Sequence, residues 1–302
     1  MIMSDEIEEE DTTCCCAACG TAEIDDIKLM ECGGCDLVKY CSVECQEDHR
    51  SQHEEACKKR AAELRDELLF KQPESTHMGD CPICCLPLPL DTKKSNMNTC
   101  CSKIFCKGCV LANSVREDEQ SLEFSCPFCR KPSAKTEEEA DKQMMKRIEA
   151  NDPVAISEWG GKQYIKGEYQ IAFEYWSKAA ELGVAQAHFH LAVLYQEGVG
   201  VEKDEGKEIH HLEEAAIGGH PYARRCLGCV ENDNGNIERA IKHWIIAAKL
   251  GDDRSIKCLM EAFKLGCLSK EDLTAALRAH KAAVDATTSP QRNIAEECFS
   301  II

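Results

Sequence analysis

The sequence predicts a mostly α-helical protein in which two small zinc domains, joined by helical linkers, precede a C-terminal α-helical repeat solenoid. Three observations lead to this fold class. Eighteen of the 23 cysteines lie before residue 130, many of them in pairs whose spacing suits metal binding. The segment 58–78 is rich in strong helix formers, and 133–152 carries a capping-box pattern from Thr136 to Glu139. After residue 152, a short motif recurs at a spacing typical of stacked helix pairs.

Composition and charge narrow the functional classes. The first residues, MIMSDEIEEE, are acidic and lack the basic and apolar regions of a secretory signal, and no stretch approaches the ~20 apolar residues of a membrane span. We therefore expect a cytoplasmic or nuclear chain whose residues 1–13 form an acidic disordered tail. The net charge of −18 disfavours a nucleic-acid partner, because phosphate contacts need a basic surface.

The C-x-x-C pairs indicate metal sites rather than disulfides. In a reducing compartment, clustered pairs of this kind are more typical of zinc ligands than of structural disulfides. A thioredoxin-type redox site is the alternative for any one pair. It does not explain five such pairs before residue 130, and no βαβ pattern surrounds them.

The first cysteine block, in residues 14–57, offers enough ligands for two zinc ions. Seven thiolates and one imidazole occur in pairs: Cys16 and Cys19, Cys32 and Cys35, Cys41 and Cys45, and His53 and Cys57. A structural zinc takes four such ligands. A chain of about 42 residues cannot bury a self-sufficient core, so we expect zinc to hold this domain together. Cys14 and Cys15 remain competitors for the first ligand position.

The segment KYCSVECQEDHRSQHEEAC closely resembles the MYND zinc finger, and the resemblance extends from Cys16 to Cys57. It favours His53 over His49 as the imidazole ligand, because only His53 has the family spacing to Cys57. MYND fingers typically bind short proline-containing peptides, but Arg50 stands where the family usually has a tryptophan. The resemblance implies cross-braced pairs, with one zinc held by Cys16, Cys19, Cys41 and Cys45 and the other by Cys32, Cys35, His53 and Cys57.

The second cysteine block, residues 79–132, lacks the usual histidine. Lys103 stands in its place and has no lone pair for a metal, so we expect it to lie in a solvent-facing loop. Two tetrahedral sites need eight ligands, and the only suitable extra groups are Cys100 and Cys101. Cys85 is left over as a small half-buried hydrophobe. The remaining six thiolates are those of Cys81, Cys84, Cys106, Cys109, Cys126 and Cys129.

The ends of this block, CPIC and CPFCR, resemble those of a RING domain in an all-cysteine version known among some ubiquitin ligases. The resemblance implies that Ile83 and Pro127 form an apolar docking patch for a ubiquitin-conjugating enzyme, and that Arg130 bridges that enzyme and its ubiquitin. A core role for Ile83 and a plain exposed charge for Arg130 are the alternatives. Cross-bracing would place Cys81, Cys84, Cys106 and Cys109 on one zinc and Cys100, Cys101, Cys126 and Cys129 on the other.

The C-terminal half carries the repeat. KAAELG at 178–183 recurs as EAAIGG at 214–219 and IAAKLG at 246–251. The segment YQEGVGVEKDEGKEIHHLEEAAIGG resembles the Sel1-like repeats, relatives of tetratricopeptide repeats. The resemblance implies a solenoid over 153–289 whose concave face binds protein, followed by a C-terminal tail at 290–302. We expect the three tryptophans of this half to be core residues, and its histidines at 188, 190, 210, 211 and 243 to be scattered surface imidazoles.

Three functions follow from these domains. The leading hypothesis is a RING-type ubiquitin ligase that binds four zinc ions, two per finger, and recruits protein partners through the MYND finger and the repeats. Such a ligase has no catalytic nucleophile of its own and acts by positioning its conjugating enzyme. The alternative is a non-enzymatic zinc-finger adaptor that mediates protein–protein interactions. A transcriptional regulator that reaches chromatin through partners is a third reading.

Overall fold

The computed structural model describes residues 15–299, so the predicted acidic tail, Cys14 and residues 300–302 lie outside the described part. Within that part the chain is 61% helical, with twelve α-helices and two short two-stranded sheets. None of these helices combines the length and apolarity that a membrane crossing requires. The chain divides into two compact units, one ending at Leu69 and the other beginning at Phe70, and each is described by itself.

The first unit is a small sheet followed by one long helix. Strand β1 (Met30–Glu31) pairs antiparallel with β2 (Lys39–Tyr40), with Met30 opposite Tyr40. Helix α1 (Val43–Leu69) begins inside the cysteine block rather than after it. The helical prediction for 58–78 therefore holds only as far as Leu69. Residues 70–78 are not helical, consistent with Pro73, which disfavours helical backbone in the residue before it.

The second cysteine block forms the first part of the second unit. After a 3-10 turn at Thr92–Lys94, β3 (Ser95–Asn98) and β4 (Lys103–Cys106) form an antiparallel hairpin in which Ser95 lies opposite Cys106. Helix α2 (Lys107–Glu119) follows directly. Leu88 and Phe105 are buried here among the cysteines. The hydrophobic core of this finger is thus small and consists largely of cysteine side chains.

Helix α3 (Glu137–Glu149) packs on the start of the repeat array. The predicted capping pattern is confirmed, because the Thr136 hydroxyl accepts from the Glu139 amide at 3.2 Å. Among the next eight helices, α4 to α11, each helix packs against the one that follows it in the chain. Their bounds are Pro153–Ile165, Tyr169–Glu181, Ala185–Glu197, Glu205–Ile217, Pro221–Asp233, Ile237–Lys249, Asp253–Lys264 and Lys270–Ala286.

The recurring motif has a physical explanation in this array. Its paired alanines are buried at the ends of α5, α7 and α9, where the small side chains allow neighbouring helices to approach closely. Its final glycines, Gly183, Gly219 and Gly251, have φ values of +83°, +79° and +93°, and only glycine adopts this backbone without strain. The motif is therefore the C-terminus of the second helix in each pair.

Aromatic packing in the repeats agrees with the prediction for tryptophan and corrects the one for histidine. Trp176 and Trp244 are buried, and Trp159 is half-buried. His243, however, is fully buried, and the His190 ring stacks on Trp176 with centroids 4.4 Å apart. The surface prediction is wrong for these two imidazoles, because a flat neutral ring packs between helices much as another aromatic side chain does.

The last helix was not anticipated. Residues from Pro290 to Phe299, predicted as part of a tail, form α12, which packs on α2 of the second finger. Arg292 is buried in this contact, and its guanidinium donates to the carbonyl oxygens of Pro87 at 2.6 Å and Leu86 at 3.1 Å. The chain end is therefore part of the packing around the second finger.

Candidate metal centres and docking residues

The structure brings the ligand candidates of the first finger together in two interleaved sets. In each set the ligand atoms all lie within 4.8 Å of one another. The Sγ atoms of Cys32 and Cys57 are 3.7 Å apart, and Nε2 of His53 lies 3.0 Å from Sγ of Cys35. The sets are Cys16, Cys19, Cys41 and Cys45, and Cys32, Cys35, His53 and Cys57.

Local structure explains which imidazole joins the set. Helix α1 carries Cys45, His53 and Cys57, so ligands of both sets are anchored on one rigid element. His49 lies one turn before His53, and its Nδ1 is 3.1 Å from the hydroxyl of the buried Tyr40. The two imidazole rings stack with centroids 5.7 Å apart. His49 therefore supports the sheet and the ring of His53, while His53 itself reaches the cluster.

The second finger holds two further sets, again within 4.8 Å. Both Cys100 and Cys101 take part: Sγ of Cys100 lies 3.4 Å from Sγ of Cys129, and Sγ of Cys101 lies 3.7 Å from Sγ of Cys126. Lys103 is exposed, as expected, although it begins strand β4 rather than lying in a loop. The sets are Cys81, Cys84, Cys106 and Cys109, and Cys100, Cys101, Cys126 and Cys129.

The turn between β3 and β4 shows how adjacent cysteines share one site. After most C-x-x-C pairs here, the next residue has a positive φ and its amide bonds the first cysteine's carbonyl, as Arg130 does to Cys126 at 2.9 Å. Ser102 repeats this geometry, with a φ of +54° and an amide bond of 2.8 Å to Asn98. Asn98 thus replaces the first cysteine of such a turn. Its neighbours Cys100 and Cys101 supply the two ligands instead.

A turn of the same type, from Cys81 to Cys85, corrects the prediction for Cys85. It follows Cys84, adopts a φ of +55°, and donates its amide to the carbonyl of Cys81 at 2.9 Å. This geometry points its side chain outward, so Cys85 is exposed rather than half-buried. Cys15 is also exposed and takes no part in a cluster.

The geometry of all four clusters fits zinc. A tetrahedral site with Zn–S bonds of about 2.3 Å has sulfur–sulfur edges of roughly 3.8 Å. Cys81 and Cys109 are 3.9 Å apart at sulfur, and Cys84 and Cys106 are 3.8 Å apart. A disulfide needs about 2.05 Å, so these thiols are not bonded to one another. Sets of four thiols, or of three thiols and an imidazole, have the composition of structural zinc sites.

Electrostatics in the clusters favours a divalent cation. Burial raises the pKa of Cys109 to about 12 and that of Cys101 to about 11, and nearby thiolates add to both shifts. Four thiols in so small a space cannot all ionise without a counter-charge. Zinc supplies that charge and displaces the protons, so its binding must weaken as the pH falls.

The predicted docking residues surround the second finger's clusters. Ile83 is 40% exposed between two cysteines of one set, so it is not a core residue. Pro127 is half-buried, and Arg130 is exposed and donates to Oδ1 of Asn113 at 2.5 Å. Phe128, which the sequence prediction did not include, is 47% exposed beside Pro127. An apolar and cationic surface is thus available to a protein partner.

Two residues that the sequence analysis missed hold this finger in place. Glu117 is 2% exposed and accepts from both the amide and the hydroxyl of Ser125, the residue before Cys126. Burial raises its pKa, but these hydrogen bonds outweigh that effect and hold the pKa below its ordinary value. The other is Arg292, whose guanidinium donates to Sγ of Cys84 at 3.3 Å. A carboxylate on a polar helix and an arginine near the C-terminus carry no local signal for such roles.

Comparisons with known proteins divide the chain in the same way. The family model of the MYND finger matches residues 16–57, and the model of the Sel1 repeat matches 155–184, 185–220 and 228–252. No RING-type finger is found by the family models. No curated protein matches the chain.

Solved structures of Sel1-type proteins are similar to part of the chain. A Sel1 repeat protein from Oxalobacter formigenes is 24% identical, with a TM-score of 0.44, and the match covers 59% of this chain and 74% of that one. The second is c5321, described as a protective antigen of uropathogenic Escherichia coli strains with an SLR fold. It is 23% identical, with a TM-score of 0.38, and the match covers 55% of this chain and 37% of that one. The chain contains a MYND finger at residues 16–57 and Sel1 repeats between residues 155 and 252.

Proposed function

We propose that this protein is a zinc-dependent adaptor that brings protein partners together. One observation carries the proposal: a MYND finger and a Sel1 repeat array, both of which resemble protein-binding modules, occur in one chain. Stacked helix pairs present an extended surface that suits protein binding. The net charge of −18 is unfavourable for a nucleic-acid partner.

The proposed cofactor is zinc, with four ions per chain. The sixteen ligand candidates form four sets, and each set has the composition and spacing of a tetrahedral site. Native mass spectrometry of protein expressed with zinc should give a mass increase of four ions. Two ions, with one finger unfolded, would mean that one block does not bind metal.

The adaptor proposal is tested by disabling one module at a time. Cys45→Ser should unfold the first finger and Cys126→Ser the second, because each removes a ligand from a four-ligand site. Quantitative affinity capture with the wild-type chain and each variant should show a separate group of partners lost in each case. Direct binding of purified partners would then confirm the assignment. If the variants capture what the wild type captures, the fingers are not binding modules.

The finer proposal is that the second finger docks a ubiquitin-conjugating enzyme, which would make the chain a ligase. Three features support it: the cross-braced arrangement of its cysteines, the exposed Ile83 between two of them, and Arg130 directly after the last. The hydrogen bond from Arg130 to Asn113 holds the guanidinium near α2. Catalysis in such a site consists of orientation alone.

Docking variants test this finer proposal. Ile83→Ala and Arg130→Ala should leave the zinc content unchanged and lower ubiquitin-chain formation by roughly 100-fold, the order of loss expected when orientation fails. Matched controls are Ile165→Ala, an isoleucine 86% exposed on the repeats, and Lys131→Ala, the exposed cation next to Arg130. If the wild type forms no chains with a broad panel of conjugating enzymes, the ligase proposal fails and the adaptor proposal remains.

A further inference from the structure

A large cleft lies within the second unit, between the start of the second finger and the later repeats. Its volume is about 1040 Å³, at the upper end of the range for small-molecule pockets. One wall is the chain on either side of Cys81, with Glu74, Asp80 and Asp91. The other wall comes from α6, from α8 to α11 and from the turns between these later helices. Neither the MYND finger nor the zinc clusters of the second finger explain this cleft.

The repeat wall is unusually basic for so acidic a chain. Lys249, Arg254 and Lys257 lie together around the turn from α9 to α10, are exposed, and line the cleft. Within residues 15–299 none of these three cations forms an ion pair. Arg225 also lines this wall, but its Nε lies 3.3 Å from the Asp252 carboxylate. Three unpaired cations therefore line this wall, against one exposed carboxylate, Asp253, whose partner is an imidazole rather than a cation.

The acids of the cleft do not cancel these cations. Asp252 caps α10 by accepting from the Ser255 amide at 2.8 Å, and Asp253 lies 3.0 Å from the His280 imidazole. Asp91 caps the 3-10 turn at Thr92–Lys94. The two acids left over, Glu74 and Asp80, belong to the opposite wall. Lys94, also on the finger wall, is paired with Glu296 at 2.8 Å. The cleft thus has a basic repeat wall and a mostly acidic finger wall, and no ion pair among the described residues joins the two.

Apolar residues lie between the charged groups. Leu88 and Leu90 contribute from the finger, Phe189 and Tyr222 from the repeats, and Val284 from α11. A ligand that fits this cleft needs apolar groups to contact these residues and an anionic group directed at the basic repeat wall. An extended protein segment offers side chains of both kinds in alternation. A nucleic acid does not fit, because its repeated phosphates would meet Glu74 and Asp80.

We propose that this cleft binds an extended segment of a partner protein through an anionic side chain, which contacts Lys249, Arg254 and Lys257. The anionic group is a carboxylate or a phosphorylated side chain, since both provide the same charge and hydrogen-bond acceptors. The inference rests on the adaptor function and names the chemistry of one partner. Apolar neighbours of the anionic residue pack against Leu90 and Tyr222.

The test uses a randomised dodecapeptide library selected on the zinc-loaded full-length chain. Enriched peptides are resynthesised with a fluorescein label, and their affinity is measured by fluorescence anisotropy. They should share an Asp or Glu flanked by apolar residues. Changing that acid to its amide should weaken binding, and changing it to phosphoserine should retain or strengthen it. A gain with phosphoserine identifies phosphorylated segments as the preferred source, and equal or better binding of the acid identifies carboxylates.

Charge reversal assigns the binding to the cleft. The triple variant Lys249→Glu, Arg254→Glu, Lys257→Glu should lose affinity by at least about tenfold, because three modest attractions become repulsions. The matched control carries the same change in net charge on α11, outside the cleft, as Lys270→Glu, Arg278→Glu, Lys281→Glu, and should bind as the wild type does. Circular dichroism should show unchanged helix content in both.

Three results would overturn the inference. The first is that no peptide is enriched over the library background, and the second is that enriched peptides bind both triple variants as tightly as they bind the wild type. In the second case the chain still binds protein segments, so the adaptor proposal stands while the cleft is excluded as the site. Loss of binding in both variants would also overturn it, because net charge rather than the cleft would then control affinity.

Discussion

Changing Gly160 to alanine should destabilise the repeat array, whereas the same change at its neighbour Gly161 should stabilise it. Both glycines lie inside α4, where glycine costs ~1 kcal/mol relative to alanine. A methyl group at Gly160 would lie 2.7 Å from Cδ1 and Nε1 of Trp176, while at Gly161 nothing lies within 4 Å. The pair therefore separates a packing clash from helix propensity.

The expected magnitude follows from how tightly Trp176 is held. Carbon contacts are comfortable at ~3.5–4.0 Å, so the indole would have to retreat by roughly 1 Å. It is 2% exposed, and its Nε1 donates to the Ser157 carbonyl at 3.0 Å, so it has little room to move. Overpacking a filled core costs ~1–3 kcal/mol. Gly160→Ala should therefore lose up to ~2 kcal/mol of stability, and Gly161→Ala should gain up to ~1 kcal/mol.

Urea denaturation of the zinc-loaded chain measures this difference. All three tryptophans, Trp159, Trp176 and Trp244, lie in the repeats, so their fluorescence reports the array rather than the fingers. The gap between the two variants, ~1–3 kcal/mol, is the clash alone, because propensity contributes equally to both. If Gly160→Ala proves as stable as Gly161→Ala, then α4 and α5 do not pack with the indole over Gly160.

Three further predictions concern protonation and zinc. Burial lowers the pKa values of His77 and His190 to about 4, so the unfolded chain binds more protons below pH 6.5. The stability that depends on these imidazoles is therefore full above about pH 6.5 and is lost as the pH falls toward 4. His77→Gln with His190→Gln should reduce this slope in urea titrations; the remaining slope comes from zinc release and from His188, His211 and His220, whose pKa values burial also lowers. Cys100→Ser or Cys101→Ser should each release one zinc ion and unfold the second finger, whereas Lys103→Ala should retain four ions by native mass spectrometry; zinc kept in both cysteine variants would mean another ligand. Zinc chelation should abolish hydrogen-exchange protection in both fingers and in α12, which packs on α2, but leave the helices from α4 to α9 protected; loss of all protection at once would show that the repeats need the fingers to fold.

Local sequence patterns predict much of the architecture. The turn GVGVEKD begins directly after α6 and ends directly before α7, as its glycines and final aspartate indicate. Asp204 then caps α7 by accepting from the Lys207 amide at 3.0 Å. The choice of Cys100 and Cys101 required only a count of ligands. In each case the determining residues lie within one turn or one short segment, so their spacing is visible in the sequence.

The sequence by itself determined which residues are ligand candidates and that helix pairs recur in the C-terminal half. Only the tertiary structure decided what Arg292 contacts and where the cations of the cleft lie. Arg292 meets Cys84 across more than 200 positions of chain, and Lys249 faces a wall formed by residues near Cys81. Periodicity and spacing describe neighbours along the chain, whereas these contacts depend on how helices stack, and that is settled by packing the whole second unit at once.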